Sequence, residues 1–127
     1  MYPTDYRYTE DHEWLRIEGD ECVIGITDYA QGELGEVVYV DMPEVGESFD
    51  AGDAVGAIDS SKTSADVYTP LAGEVTAINE ELEDAPEKVN EDAHGAGWLF
   101  KLRFASKEGL DELMSAEEYE KLAASQG

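Results

Sequence analysis

Residues 54–75 read Ala54-Val55-Gly56-Ala57-Ile58-Asp59-Ser60-Ser61-Lys62-Thr63-Ser64-Ala65-Asp66-Val67-Tyr68-Thr69-Pro70-Leu71-Ala72-Gly73-Glu74-Val75. Ala54 to Ser60 and Ser64 to Thr69 are short, partly alternating and carry β-branched residues, which predicts two strands. With Ser61 and Lys62 as the turn, Asp59 faces Ser64, Ile58 faces Ala65, Ala57 faces Asp66 and Gly56 faces Val67. Lys62 then stands at a hairpin tip and points away from the core. Between Ile17 and Glu87 there are nineteen Asp or Glu residues, and Lys62 is the only Lys or Arg. A lysine must be neutral to act as base or nucleophile, and surrounding carboxylates favour the charged form. Two roles stay open: a surface ion pair, worth about 0–1 kcal/mol, or an attachment point modified by another enzyme.

Upstream, Tyr6 to Thr9 leads into a strand from Glu13 to Ile17, a turn at Glu18-Gly19-Asp20 and a returning strand from Cys22 to Ile26. Thr27 or Asp28 suits the cap of a short helix, Tyr29 to Leu34, which Gly35 ends. A strand from Glu36 to Asp41 follows, then a turn in which Gly46 takes positive φ. Phe49 reads as a core anchor before the turn at Asp50 to Asp53. Downstream, Glu74 to Ile78 is a strand and Asn79 to Asn90 holds one or two helical turns. Trp98 to Phe104 alternates apolar and basic residues, as a strand with one wet face does. Gly35-Glu36-Val37-Val38 and Gly73-Glu74-Val75-Thr76 recur thirty-eight positions apart, a short hint of two similar halves. Helices are predicted over 106–125, from Lys107 to Met114 with Ser106 as cap and from Ala116 to Ala124. Ser115 and Glu118 form a capping box for the second. Leu110, Leu113 and Met114 make one apolar stripe, and Tyr119 and Leu122 another. The fold expected is mainly β, two small sheets in a flattened barrel or sandwich, with short helices and a helical C-terminus.

The 127 residues suit one domain, 1–127, large enough to bury a core without a staple. One cysteine, Cys22, excludes an internal disulfide, and no Cys or His cluster suggests zinc. His12, beside Glu13 and Trp14, reads as structural or as rim; His94, in a Gly-rich loop, is assigned no role. The sequence opens without a basic apolar leader, and its longest apolar run is Val37 to Val40, so a cytoplasmic protein is expected. A formal charge of −23 repels phosphate backbones and anionic lipid, which removes nucleic acid and membrane surfaces as partners. The acids are dispersed among 42% hydrophobic residues, the pattern of a folded domain coated with carboxylates and adapted to a salty, halophilic cytoplasm.

The Lys62 hairpin resembles the lipoyl attachment hairpin of the glycine cleavage system H proteins, relatives of lipoyl and biotinyl carrier domains. That family places a Gly sixteen positions before its modified Lys and another eleven after it, here Gly46 and Gly73. Tyr8, Thr9, His12, Glu13 and Trp14 are similar to its Tyr-Thr-x-x-His-Glu-Trp signature. Gly25 to Leu34 with Gly35-Glu36-Val37-Val38, then Val89-Asn90 and Gly97-Trp98-Leu99, extend the likeness over residues 6 to 122. The family's usual Glu-Ser-Val-Lys-Ala is Asp59-Ser60-Ser61-Lys62-Thr63 here, so the acid loses a methylene and an apolar neighbour becomes a hydroxyl. A biotin carrier has Met on both sides of its Lys, which this chain lacks.

The resemblance implies a lipoyl-carrier fold and a non-enzymatic shuttle with lipoic acid in amide linkage to Lys62. Its implied partners are a pyridoxal-phosphate glycine decarboxylase, a tetrahydrofolate-dependent aminomethyltransferase, a flavin (FAD) dihydrolipoyl dehydrogenase and a lipoylating enzyme. It further implies that Glu13 and Asp66, matching family acids, line a solvent-facing groove that shelters the loaded arm. Two rivals are weighed: a lipoyl carrier for 2-oxo-acid dehydrogenases or lipoate relay, and a hydrolase with Ser60 or Ser61 as nucleophile and Lys62 as base.

The dispersed acidity carries a prediction. Carboxylates repel one another over a Debye length of about 10 Å at 0.1 M salt, so the melting temperature should climb from low to molar KCl. Thermal melts across that range check it, and a flat midpoint would oppose halophilic adaptation.

Overall fold

The structure, a computed structural model, describes residues 4–104 and 113–126. The first hairpin is β2 (Glu13–Glu18) and β3 (Glu21–Ile26), turned at Gly19, with β1 (Arg7–Tyr8) paired outside β2. Beyond β3 lie β9 (Phe100–Phe104), β8 (Gly73–Ile78) and β5 (Ser48–Phe49), giving an antiparallel sheet of order β1-β2-β3-β9-β8-β5. A second sheet has the order β4-β6-β7, from β4 (Val37–Asp41), β6 (Ala54–Ser60) and β7 (Ser64–Tyr68). Among the described residues the two sheets stay separate and open, so the architecture is a sandwich and not a closed barrel. The helices are α1 (Asp28–Leu34), α2 (Glu81–Asp84), α3 (Lys88–Glu91) and α4 (Ala116–Gln126). No helix of the described residues is long and apolar enough to cross a membrane.

The hairpin register is the one read from the sequence: Asp59 pairs with Ser64, Ile58 with Ala65, Ala57 with Asp66 and Gly56 with Val67. Thr27 caps α1 by accepting the Ala30 N–H at 3.2 Å. Ser115 and Glu118 bond reciprocally at the start of α4, Ser115 N–H to the Glu118 carboxylate at 3.1 Å and Glu118 N–H to Ser115 Oγ at 3.2 Å. In β9, Phe100, Leu102 and Phe104 are buried while Arg103 is exposed. The short strand β5 at Ser48–Phe49 is not legible in the sequence; Phe49 packs against the core as expected.

Of the two predicted C-terminal helices, the second is α4 and the first departs from expectation at its end. Most of the helix predicted from Lys107, with its Ser106 cap and Leu110, lies outside the described residues. Leu113 and Met114 are described and are not helical. Met114 instead exchanges two backbone hydrogen bonds with Tyr8, at 2.9 and 2.8 Å, because the outer edge of β1 offers an N–H and a C=O to pair.

Between the sheets sits the larger core, with Leu15, Ile24, Val75 and Leu102 on one side and Val40, Ile58 and Val67 on the other. Fully burying each Leu or Ile stabilises by roughly 1.5–3 kcal/mol. A second core lies around Trp14 and Val23, where Tyr6, Tyr8 and the α4 residues Ala116, Tyr119 and Ala123 pack. Strands β2 and β3 therefore bury both faces, which is why Glu13–Leu15 and Cys22–Ile26 show no alternation.

Trp14 lies directly across from Gly25 and donates its indole N–H to Ala93 O at 2.8 Å. A Cβ at Gly25 would meet the indole ring at 2.7 Å. Gly25→Ala is expected to cost about 1–3 kcal/mol through overpacking, read as a lower urea midpoint with an unchanged m-value. An unaltered midpoint would mean that the indole does not rest on this glycine.

Candidate functional site

Lys62 occupies the exposed tip between β6 and β7. Neither turn residue has positive φ, so the tip lacks the mirror-image turn geometry that two-residue hairpins favour. Hydrogen bonds from Ser60 compensate. Ser60 N–H donates to Thr63 O at 2.7 Å, the Ser60 hydroxyl donates to the same oxygen at 3.0 Å, and Thr63 N–H returns to Ser60 Oγ at 3.1 Å. Ser61 N–H donates to Glu36 O at 2.9 Å, which ties the tip to the start of β4. Asp59 is half-buried between Tyr39 and Ser64, while Ser61 and Thr63 are exposed. Among the described residues Lys62 joins no ion pair.

The Lys62 stem crosses the end of α1. Gly35 stops that helix at φ +82, and a Cβ there would lie 3.3 Å from Lys62 Cε. Asn90 braces the same junction, donating to Gly35 O at 2.7 Å and to Gln31 Oε1 at 2.9 Å while accepting Val37 N–H at 2.8 Å. The preceding residue, Leu34, lines a cleft of about 340 Å³ between α1 and the hairpin. Its floor is apolar, with Ile26, Ala30, Leu34, Ile58, Ala65 and Val67. Its rim is polar, with Asp11, His12, Glu13, Tyr29, Glu33 and Asp66. A larger cleft of about 590 Å³ on the far side of Glu13 includes nothing from α1.

Glu13 and Asp66 thus come from different sheets to one cleft. The expectation that both face solvent holds for Asp66 only. Glu13 is 2% exposed, because its side chain reaches across to the second sheet and accepts Tyr68 N–H at 2.9 Å. Its other oxygen accepts the Thr9 hydroxyl at 3.2 Å. Burial pushes the Glu13 carboxyl up to about 7, aided by Asp11 and opposed by the two hydrogen bonds. Gly46 and Gly73 lie away from the tip: Gly46 (φ +98) donates to Val75 O, and Gly73 pairs with Phe49 and Phe104.

His12 is on the cleft rim, its ring 4.8 Å from that of Tyr29. His94 is structural. Its Nε2 accepts Asp28 N–H at 3.0 Å, which requires a bare nitrogen, and burial lowers its basicity. Sequence reasoning missed Tyr29 and Glu33, joined by a 3.0 Å hydrogen bond from the Tyr29 hydroxyl. Their i, i+4 spacing was the available signal, together with Ile26, Ala30 and Leu34 at helical intervals.

The model of the family described as glycine cleavage H-protein matches residues 6–126. Glycine cleavage system H proteins from Burkholderia cenocepacia and Rubrobacter xylanophilus are 50% and 53% identical, over 94% and 92% of this chain and 95% and 90% of theirs. One from Carboxydothermus hydrogenoformans is 43% identical over the whole chain and 98% of its own. The crystal structure of a glycine cleavage system H protein from Mycobacterium marinum superposes with a TM-score of 0.89 at 36% identity, covering 97% of this chain and 99% of that one.

Glu13 carries a pH prediction. The folded chain keeps its proton up to about pH 7, whereas the unfolded chain releases it near 4.5. Relative to Glu13→Gln, stability should be greatest and constant below 4.5 and fall as pH rises from 4.5 to 7. The total fall is up to about 3 kcal/mol, level thereafter. Denaturant melts of both proteins at fixed salt measure it, and a pH-independent difference would contradict the buried carboxyl.

Proposed function

The chain belongs to the glycine cleavage H-protein family, and on that footing we propose that Lys62 bears a lipoyl group in amide linkage and that the neighbouring cleft shelters what the arm carries. The protein is a carrier and not a catalytic enzyme: a lipoyl shuttle for the aminomethyl group of glycine. The proposal treats residues 1–127 as one carrier domain with a cytoplasmic setting. Its partners are the pyridoxal-phosphate decarboxylase, the tetrahydrofolate-dependent aminomethyltransferase, the FAD dihydrolipoyl dehydrogenase and a lipoylating enzyme.

The observation that carries the reading is the Lys62 stem lying against Gly35, the residue that follows Leu34 of the cleft floor. When bound, the lipoyl group supplies a disulfide that takes up the aminomethyl cargo and a dithiol that is later reoxidised. The chain supplies the rest. Ser60 and Glu36 O hold the tip, so Lys62 presents its amine to the lipoylating enzyme from an exposed, hydrogen-bonded turn. Tethering at Lys62 keeps the cargo at high effective concentration near each partner's active site. The apolar floor of Leu34, Ile58 and Ala65 suits a hydrocarbon arm, and Glu13 and Asp66 suit a cationic amine. An arriving cation also favours the ionised form of Glu13, against the burial that holds its proton.

The hydrolase rival fails on the same geometry. The Ser60 hydroxyl is committed to Thr63 O, and Lys62 stands exposed at the tip.

Peptide mapping of protein from cells with an active glycine cleavage system should find Lys62 lipoylated, and Lys62→Arg should fold and carry nothing. Without the transferase, water displaces the cargo from sulfur, leaving a thiol, formaldehyde and ammonium. Asp66→Asn should speed formaldehyde release roughly fivefold, the scale of one exposed charge contact. Glu13→Gln should speed it at least as much, and the double variant less than additively. A consistently bare Lys62, or release rates equal to wild type, would sink the proposal.

A further inference from the structure

One side chain holds both ends of the segment on which the Lys62 tip rests. Gly35-Glu36-Val37 leads from α1 into β4. Its middle residue accepts Ser61 N–H at 2.9 Å through Glu36 O, and the Lys62 stem lies against its first. Asn90, from α3, bonds to the residues on either side of Glu36. Its Nδ2 donates to Gly35 O at 2.7 Å and its Oδ1 accepts Val37 N–H at 2.8 Å.

The Asn90 amide has one possible orientation. Val37 N–H only donates, so the atom facing it is the oxygen. The nitrogen then meets two acceptors, Gly35 O and, at 2.9 Å, Gln31 Oε1. Gln31 is fixed in the same way, because its Nε2 donates to Asp28 Oδ1 at 2.9 Å. Both Asn90 hydrogens are therefore used. Neither a carboxylate nor a hydroxyl supplies two donors and an acceptor.

The segment gains from an outside hold. Gly35 leaves α1 at φ +82, and its N–H closes the helix on Gln31 O at 3.0 Å. Beyond it the register of β4 against β6 shifts between Val37 and Tyr39, and such an irregularity interrupts the ladder. Asn90 reaches this junction from fifty-five residues beyond Gly35 and bonds both ends of it. Glu36 O is thereby set where Ser61 N–H finds it, and the turn at Ser61-Lys62 is docked on the body of the protein.

We infer that Asn90 is a positioning residue for Lys62: it clamps Gly35 and Val37, fixes Glu36 O against Ser61 N–H and so sets how the lysine is presented to the enzyme that modifies it. This rests on the reading of Lys62 as the lipoylated residue.

Amide hydrogen exchange and lipoylation kinetics, both measured on the unmodified protein, test it. In wild type, Ser61 N–H should exchange about three- to tenfold below its intrinsic rate, the scale of one hydrogen bond. Exchange at the intrinsic rate overturns the inference without any variant. Asn90→Asp keeps the shape but turns both donors into acceptors, and should remove that protection and lower kcat/KM for lipoylation by a similar factor. Asn90→Ser removes the clamp without adding charge and should do the same. Val23→Ala weakens the second core and should speed exchange of Leu99 N–H, a core amide bonded to Ile24 O, while leaving Ser61 exchange and lipoylation as in wild type. Wild-type Ser61 exchange or wild-type lipoylation in either Asn90 variant that folds overturns the inference, as does an equal effect of Val23→Ala. If Lys62 of the wild type takes up lipoate and the Asn90 variants match its rate, the positioning role alone fails. If Lys62 of the wild type takes up none, the reading of the lysine fails and the positioning role fails with it.

Discussion

The hydrogen bond from Tyr68 N–H to the Glu13 carboxylate joins the end of β7 to the start of β2, and so one sheet to the other. Burying a carboxyl is costly unless it is hydrogen-bonded, and Glu13 has two donors and a raised affinity for its proton. Both clefts border this residue. The group that closes the sandwich at this corner is therefore also one of the acids that line the cleft.

Around that pin the molecule separates a wet tip from a dry floor. The turn at Lys62 spends its hydrogen bonds on itself and on Glu36 O, while the lysine stem lies against the bare backbone of Gly35. Two residues into the hairpin strands the environment changes, with Ile58 fully buried and Ala65 packed against the core. The transition lies in the strand period: once the register is set, alternate residues must pass to the covered face. A tether fixed at this tip begins in water and finds an apolar surface within its reach.

The two cores divide the labour. The larger one, between the sheets, sets the hairpin and the cleft floor; the smaller one, under α4, contributes buried aromatics and the contacts of the Tyr119 hydroxyl with Thr27 and His12. Tertiary packing thus carries a contact from the last helix to the cleft rim. The acidic coat adds repulsion that only burial and salt offset, and Asp66 and Glu33 show that some of that coat borders the cavity.

What could be read along the chain was whatever obeys a local rule. Strand period and turn length set the Lys62 register, the capping rules placed Thr27 and the Ser115–Glu118 box, and the spaced signatures named the family. Glu13 and Asp66 were singled out by motif position, but their environments were not legible. Burial of Glu13 depends on Tyr68, fifty-five residues away, and no local pattern encodes that distance. β5 is two residues long, below any period, and exists because β8 offers an edge. Met114 follows helical spacing and yet pairs with Tyr8, since an unpaired strand edge outweighs the weak propensity of a few residues. The sequence alone determined the hairpin, its lone lysine and the carrier class, because these rest on nearest neighbours. Only the tertiary structure decided which acid is buried, what floors the cleft and how α4 touches it, because each depends on which surfaces exclude water together.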